Sequence, residues 1–355
     1  MEQSSLNLAR ECSWCLPAAL IGLVIACASP AVSSGGPTSP RASNTRAGSP
    51  SAPTSAQPTI TSPESPSPSA SPGIPTDRTF PVLVNFSCRL PVRLVGDDRA
   101  LPGFLDLSNG HFASDPAAPL GAQTYSWIGG RWLSVGPEMV SPDGKHYAYA
   151  GADGIHDVDL TSGADRNVLS HPPGELMKYS GDGIYLTKNG GYAGHLGLWR
   201  LNPFTASLTQ VLPESIAFDE LGGGAAWSIE PRSEAPTPTT LYRIEFGTGA
   251  RQLWFSQPNT FVVHLGTDPA GRPLVGTVDT RDFSQEKLLV VPTPGQATVI
   301  QAGSQESTAW FAALTDTHGV WFVSSSAAAP LWLLPSDDRL ITVAQAAVRP
   351  LGPCN

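Results

Sequence analysis

Charge is scarce in this chain: only 14% of its 355 residues are Asp, Glu, Lys or Arg, and the balance is −9. From Phe80 to Asn355 there are 17 Lys plus Arg against 26 Asp plus Glu, and no basic run occurs. An acidic surface repels phosphate backbones, so nucleic acid is not an expected partner. A long apolar run is missing as well. The stretch Leu16 to Ala26 has 11 residues, whereas crossing about 30 Å of hydrocarbon takes roughly 20. After Phe80 no window of 11 or more residues has helical periodicity, which argues against a helical bundle. His-Glu-x-x-His and Gly-x-Ser-x-Gly are both absent, so neither the common zinc-protease site nor a nucleophile elbow is signalled.

What the N-terminus does have is an export pattern. Residues 1–26 hold a short apolar core of the kind that is cleaved. The core ends Val24-Ile25-Ala26-Cys27, which resembles the bacterial lipobox. The resemblance implies a diacylglycerol thioether on Cys27, which becomes the new N-terminus, and its two acyl chains suffice for stable anchoring. The alternative is a plain secretory signal cut nearby. Cys12 and Cys15 spell Cys-x-x-Cys, but no βαβ pattern surrounds them and they leave with the signal. Residues 27–79 then read as a linker. From Ala28 to Arg78, Pro, Ser, Thr and Ala make up 37 of 51 residues, with 11 prolines and no aromatic. Such a chain cannot form a core and extends, reaching at most on the order of 150 Å.

Residues 80–355 are read as one repeating domain. The clearest unit is Ser141 to Leu169. Ser141-Pro142-Asp143-Gly144 spells a type I turn, with Pro142 fixing φ, Asp143 next and Gly144 closing it. His146 to Ala150 alternates large and small side chains as a half-buried strand does, Asp153-Gly154 turns, Ile155 to Leu160 is a strand, and Thr161-Ser162-Gly163 turns again. Gly144 has counterparts at Gly183, Gly224, Gly271 and Gly319, at intervals of 39, 41, 47 and 48. The later turn recurs with them, at Asp159 to Gly163, Asn202-Pro203, Gly247 to Gly249, Pro292 to Gly295 and Pro335 to Asp338. An earlier unit falls around Asn109-Gly110, a hairpin signal in itself. Six units average 46 residues, the length of one four-stranded propeller blade. The expected fold is therefore all-β, a propeller of six blades of four-stranded antiparallel sheet, with five or seven blades, a β-sandwich pair or an irregular barrel as alternatives.

Ser141-Pro142-Asp143-Gly144, Ala148, Asp159 and Gly163 are similar to the WD40-like (PD40) repeat of the TolB-type β-propellers. The other units keep less: Ser180, Asp182 and Gly183 persist in the next one, where Gly181 replaces the proline, and later units keep little beyond a glycine. The resemblance implies a periplasmic or surface-exposed binding or scaffolding module, in agreement with the export pattern.

Once the signal is gone and Cys27 is modified, Cys88 and Cys354 remain, at opposite ends of the repeat region. A propeller brings its first and last blades together, so the pair is expected to bond in an oxidising compartment. The alternatives are two free thiols or an intermolecular partner for Cys354. The segment Leu340 to Val348 is expected to supply a strand near the seam, its blade not being legible.

Chemistry is sparsely signalled. Of the seven histidines, His111, His146, His156, His171, His195, His264 and His318, none belongs to a metal-spaced set. Asp153, Asp157 and Asp159 offer oxygen ligands to calcium but lack EF-hand spacing. Asn189 to His195 is Gly-rich yet no helix pattern follows, so it reads as a hairpin loop. Trp227, Trp310 and Trp321 either pack blades or line a sugar- or peptide-binding surface. No catalytic residue, cofactor or metal is assigned. The expectation is a monomer tethered by lipid to the outer face of a bacterial cell membrane, binding an envelope protein or glycan. The alternative is an exported hydrolase or lyase, for which His156, His195, His264 and His318 would have to meet carboxylates in the central channel.

Overall fold

The computed structural model describes residues 76–95, 101–231, 238–281, 286–302, 310–324 and 330–355. The expected signal segment, Cys27 and the linker up to residue 75 lie outside the described residues. Within them every regular element is a strand, apart from single 3-10 turns at Pro137–Met139 and Gly191–Ala193. The second of these sits in the Gly-rich connection read as a hairpin loop.

Six small antiparallel sheets form a six-bladed β-propeller. Blade I takes β1 (Asp77–Thr79), β2 (Arg89–Leu94), β3 (Gly103–Asp106) and β4 (His111–Ser114). A separate hairpin follows, β5 (Thr124–Ser126) and β6 (Arg131–Leu133). Blade II holds β7 (His146–Gly151), β8 (Gly154–Asp159) and β9 (Asp165–Leu169), with Val140 bridged to Tyr147 where a first strand would lie. The next four blades are four-stranded. Blade III is β10 (Glu175–Ser180), β11 (Gly183–Asn189), β12 (His195–Asn202) and β13 (Ser207–Phe218). Blade IV is β14 (Glu220–Gly222), β15 (Ala225–Glu230), β16 (Thr240–Glu245) and β17 (Arg251–Ser256). Blade V is β18 (Thr260–Thr267), β19 (Pro273–Asp279), β20 (Glu286–Thr293) and β21 (Gln296–Ala302). Blade VI is β22 (Trp310–Asp316), β23 (Gly319–Ser324), β24 (Leu331–Leu334) and β25 (Ile341–Ala344). The chain ends in β26 (Val348–Pro350), which returns to blade I and pairs with β2. The expected four strands per blade thus hold in four of six blades; blade I gains β1 at its edge, and blade II lacks a full first strand.

The apolar pattern explains the ring. Middle strands are buried on both faces, as in β19, where Pro273 to Thr277 are all buried. They therefore read as continuous apolar runs rather than alternating ones. Outer strands do not: β13 opens with four exposed residues. Each blade alone would leave both faces of its middle strands wet, and stacking covers them. Accordingly the cores lie between blades. Leu90, Val92, Leu105 and Phe112 of blade I pack with Trp321, Leu331 and Val343 of blade VI. Similar cores join II to III, III to IV, IV to V and V to VI. Beside blade I, Phe104, Tyr125, Trp127 and Trp132 form an aromatic cluster with centroids 4.8 to 5.6 Å apart, which draws in the β5–β6 hairpin. The guanidinium of Arg89 lies 3.9 Å over Phe104.

The seam is closed at several levels. Val92 pairs with Pro350 and Leu94 with Val348. Arg89 N donates to Asn355 O at 2.8 Å, and Tyr125 N to Leu351 O at 2.6 Å. On the other side Leu83 N donates to Val343 O at 2.8 Å. The segment Leu340 to Val348 thus serves two blades: β25 completes blade VI, and the chain then crosses to blade I. Cys88 and Cys354 are joined in a disulfide, as expected.

Candidate functional site

Because strands alternate in direction, the turns joining first to second and third to fourth strands all lie at one end of the ring. Beside the axis β10 meets the 3-10 turn at Pro137–Met139, which stands where blade II would have its first strand, and the first strands of the other neighbouring blades touch, β14 with β18, β18 with β22 and β22 with β26. They therefore surround the axis. Four consecutive blades place titratable side chains near it. Blade II gives Glu138 from the 3-10 turn, blade III gives Lys178 from β10, blade IV gives Glu220 from β14, and blade V gives His264 from β18. Glu220 stands opposite Trp227 in the β14–β15 register, two residues before the turn. Lys178 Nζ crosses from blade III to donate to Leu221 O at 3.0 Å. His264 Nδ1 lies 4.0 Å from Glu220 Oε2.

The electrostatics of this cluster are set by burial. Glu220 sits deep in the ring, and burial pushes its carboxyl up to about 7; Lys178 pulls it back, while Asp219 and Glu138 push the same way as burial. Its side chain nonetheless keeps 44% of its exposure. Both facts describe a carboxyl walled by protein but still in contact with water, and that access limits the rise. The His264 side chain is only 1% exposed. Burial pushes its imidazole down to about 3, with the Gly266 backbone opposing and Lys178 adding to the fall, so the ring is neutral at neutral pH. Neither His264 nitrogen has a hydrogen-bond partner of good geometry. Trp227 packs beside it, centroids 5.5 Å apart. At neutral pH the cluster offers a carboxyl near its midpoint, a neutral imidazole and a pinned ammonium. Such a set can hold or pass protons, or receive a polar ligand.

The repeat-turn residues take other roles. Gly144, at φ +70°, closes the turn by donating to Ser141 O at 2.8 Å. Asp143 Oδ1 accepts from Ser141 Oγ at 2.7 Å, which lowers its pKa, and Pro142 lies between them. Asp159 Oδ1 accepts Thr161 N and Ser162 N at 2.7 and 3.0 Å, and Gly163 N donates back to Asp159 O at 2.8 Å. These side chains make the turns. The three carboxylates named as oxygen ligands for calcium are each engaged by different protein groups. Asp153 meets His156 Nε2 at 2.8 Å, and fully buried Asp157 meets Arg166 Nη2 at 2.6 Å and Tyr179 Oη at 3.1 Å.

The histidines named for a catalytic channel do not converge. His156, on β8 in the middle of its three-stranded sheet, is held between Asp153 and Asp165, 2.8 Å from each, which raises its pKa through the Asp153 bond first. His195 packs on Phe218, and His318 lies 3.5 Å from Asp316. Only His264 is on a first strand. Trp227 and Trp321 are buried, 1% and 0% exposed, and so line no binding surface; the Trp310 side chain lies outside the described residues. Glu138, Lys178 and Glu220 were not foreseen. Each stands alone in its unit without a motif, and only the ring order brings them together.

No family model matches this sequence, and no curated protein matches it. Solved structures with a similar arrangement include the Pyrococcus horikoshii acylaminoacyl peptidase, at 14% identity and TM-score 0.42 over 61% of this chain. The chain spans only 39% of that peptidase. An oligogalacturonate lyase in complex with manganese matches at 10% identity and TM-score 0.42, over 77% of this chain and 86% of its own. An auxiliary nutrient binding protein from Bacteroides thetaiotaomicron matches at 12% identity and TM-score 0.33, over 72% and 63%. The class defined here is that of six-bladed β-propellers, and likenesses this distant say nothing of activity.

Proposed function

We propose that this chain is an exported binding propeller, tethered by lipid on Cys27 to the outer face of a bacterial cell membrane, whose ring receives a protein or glycan of the envelope at its axis. The apolar core before Cys27 and the Pro/Ser/Thr/Ala-rich linker support the tether. A disulfide agrees with an oxidising compartment. The observation that carries the binding role is the axial cluster: Lys178, Glu220 and His264, from three successive blades, lie together, with Glu138 and Asp219 close to Glu220. Polar side chains that converge from separate elements are a common way to fix a ligand's orientation. Cross-linking the anchored protein in its own envelope and identifying the captured species tests the role. Capture should fall at least tenfold in a Glu220→Gln/Lys178→Met variant, and capture equal to wild type would refute it. A Cys27→Ala variant should leave the membrane fraction.

A second reading, an exported hydrolase or lyase, is favoured by one observation. A carboxyl brought to about 7 is fit to give or take a proton at neutral pH. Turnover of an envelope glycan or peptide, lost in Glu220→Gln while capture persists, would select this reading.

A further inference from the structure

The chain between the linker and β2 runs along the outside of the seam, where it touches two blades in turn. β1 lies at the edge of blade I, where Asp77, Arg78 and Thr79 pair with Ala113, Phe112 and His111 of β4. Around it Ser114 N donates to Thr76 O and Phe80 N to Gly110 O, both at 2.9 Å, and His111 Nε2 lies 2.8 Å from Asp77 Oδ1. The chain then crosses to blade VI. There Val82 bridges Ala344 on β25, the outermost strand, with Leu83 N donating to Val343 O at 2.8 Å and Gln345 N to Pro81 O at 2.9 Å. Phe80, Val82, Val84 and Phe86 are half-buried against the core shared by blades I and VI. Pro81, Leu83, Asn85 and Ser87 between them are exposed, the period-two pattern of an extended chain. Thr76 to Ser87 thus form a strap laid over the seam from outside.

At Cys88 the fastening changes in kind. Cys88 is bonded to Cys354, its carbonyl accepts Leu107 N at 2.9 Å, and Arg89 N donates to Asn355 O at 2.8 Å. Cys354 N in turn donates to Oδ2 of Asp316 at 3.0 Å, a buried carboxylate that also accepts Trp321 Nε1 at 2.9 Å. A pull arriving from the linker meets these two fastenings in order. An edge strand drawn from its end gives up its hydrogen bonds one after another, and water replaces each as it breaks. The disulfide cannot give way without breaking a covalent bond. Behind it the pull divides between β2 and β26, which pair with each other, and blade VI through Asp316. Freed to Ser87, the strap adds at most about 40 Å of reach. It stays covalently beside the edges of β4 and β25, so it can return to them when the pull ends.

We infer that Thr76 to Ser87 are a force-yielding strap: tension from the N-terminal side peels them reversibly from blades I and VI, and the Cys88–Cys354 disulfide stops the peeling and keeps the six-bladed ring closed. The source of that tension rests on the reading of the linker as a membrane tether; the order in which the two fastenings yield does not.

Optical-tweezer pulling of the full chain, held through enzymatic tags at its two ends, tests this. The oxidised protein should lengthen in one short step of at most about 40 Å that reverses on relaxation. With the disulfide reduced, or in Cys88→Ala/Cys354→Ala, the same short step should come first. Opening of the ring should follow, to a total of about 1,000 Å for Thr76 to Asn355. Leu83→Pro removes the donor to Val343 O at a side chain that is 58% exposed. It should speed the short step at fixed force by roughly tenfold and leave the long one unchanged. Three results would overturn the inference: no short step in the oxidised protein below the force that opens the reduced ring, a short step indifferent to Leu83→Pro, or a reduced ring that opens before the strap. Retention of Cys27→Ala in the membrane fraction would remove the tether as the source of tension, and the yielding strap would stand without it.

Discussion

The α-carbons of Cys88 and Cys354 stand 5.6 Å apart although 266 positions separate them. That spacing is within ordinary disulfide reach. Bonding them ties almost the whole propeller into one covalent loop. In the chain-entropy description, closing a loop of this length removes freedom from the unfolded chain worth about 5 kcal/mol. The pairing of β2 with β26 closes the same seam without the bond. A Cys88→Ala/Cys354→Ala variant should therefore keep its far-ultraviolet spectrum in buffer while its urea midpoint falls, with a loss of stability up to about 5 kcal/mol. Wild type under reductant should follow the variant, and an unchanged midpoint in both would show that strand pairing alone determines the seam's stability.

Asp157 ties blade II to blade III. It is fully buried on β8, accepts Tyr179 Oη at 3.1 Å and Arg166 Nη2 at 2.6 Å, and has His146 Nδ1 at 3.3 Å. Tyr179 belongs to β10, in the next sheet. Asp157→Asn keeps the volume but gives up the charge, and the Arg166 bond loses most. Arg166 is 47% exposed and solvent takes over part of its need. The expected cost is about 2 kcal/mol by urea unfolding. A double-mutant cycle with Tyr179→Phe should show coupling, because the two share one bond; strict additivity would contradict the link between the sheets.

Arg272 does the same work between blades V and VI through geometry that lysine cannot copy. Its Nε donates to Asp268 Oδ2 at 2.6 Å, while Nη1 and Nη2 reach Asp338 Oδ2 and Oδ1 at 2.9 and 2.6 Å. Asp268 is buried, Asp338 part-buried, and all three residues lie in the turns at one end of the ring. A planar fork serves both carboxylates at once; an ammonium serves one. Arg272→Lys should lower stability by about 1–2 kcal/mol, and Arg272→Met should lower it further by leaving Asp268 buried without a cation. If Arg272→Lys melts like wild type, the fork geometry is irrelevant.

What sequence could disclose follows from where the information lies. The turn of Pro142, Asp143 and Gly144 is local, written in residues whose backbone preferences leave little choice, and Gly183, Gly224, Gly271 and Gly319 repeat it with φ from +71° to +145°. The closure of Cys88 with Cys354 was legible because a ring must bring its ends together. Blade II was not legible as an exception: Val140 makes a single bridge to Tyr147 where other blades have a first strand, and nothing near Pro137 announces it. The axial cluster was hidden for another reason. Lys178, Glu220 and His264 are about one blade apart along the chain, and a lone charged residue in a strand has no neighbour in sequence that reveals its partner. His264 was named only as one histidine among several. Trp227 and Trp321, which composition allowed on a surface, are instead the largest side chains fully buried in the ring.

The opposite displacements of Glu220 and His264 give the fold a pH dependence that can be traced to each. The His264 pKa is lowered from 6.5 to about 3. Its share of stability is whole above about 6.5 and is lost as pH falls toward 3, since the unfolded chain takes up a proton that the folded one refuses. The Glu220 pKa is raised from 4.5 to about 7, so the sign is reversed. Between those values the unfolded chain has released its proton and the folded one has not, and stability falls as pH rises through that window, then levels off. Glutamine copies the protonated carboxyl at every pH. The melting temperature of Glu220→Gln should therefore match wild type near pH 4.5 and exceed it at pH 8. Solvent access to Glu220 keeps the gain small, but its direction is fixed. Scanning calorimetry of both proteins from pH 4.5 to 8 decides it: a difference that stays flat across this range would mean that the Glu220 carboxyl titrates in the fold as it does in water, and that the walls around it do not set its charge.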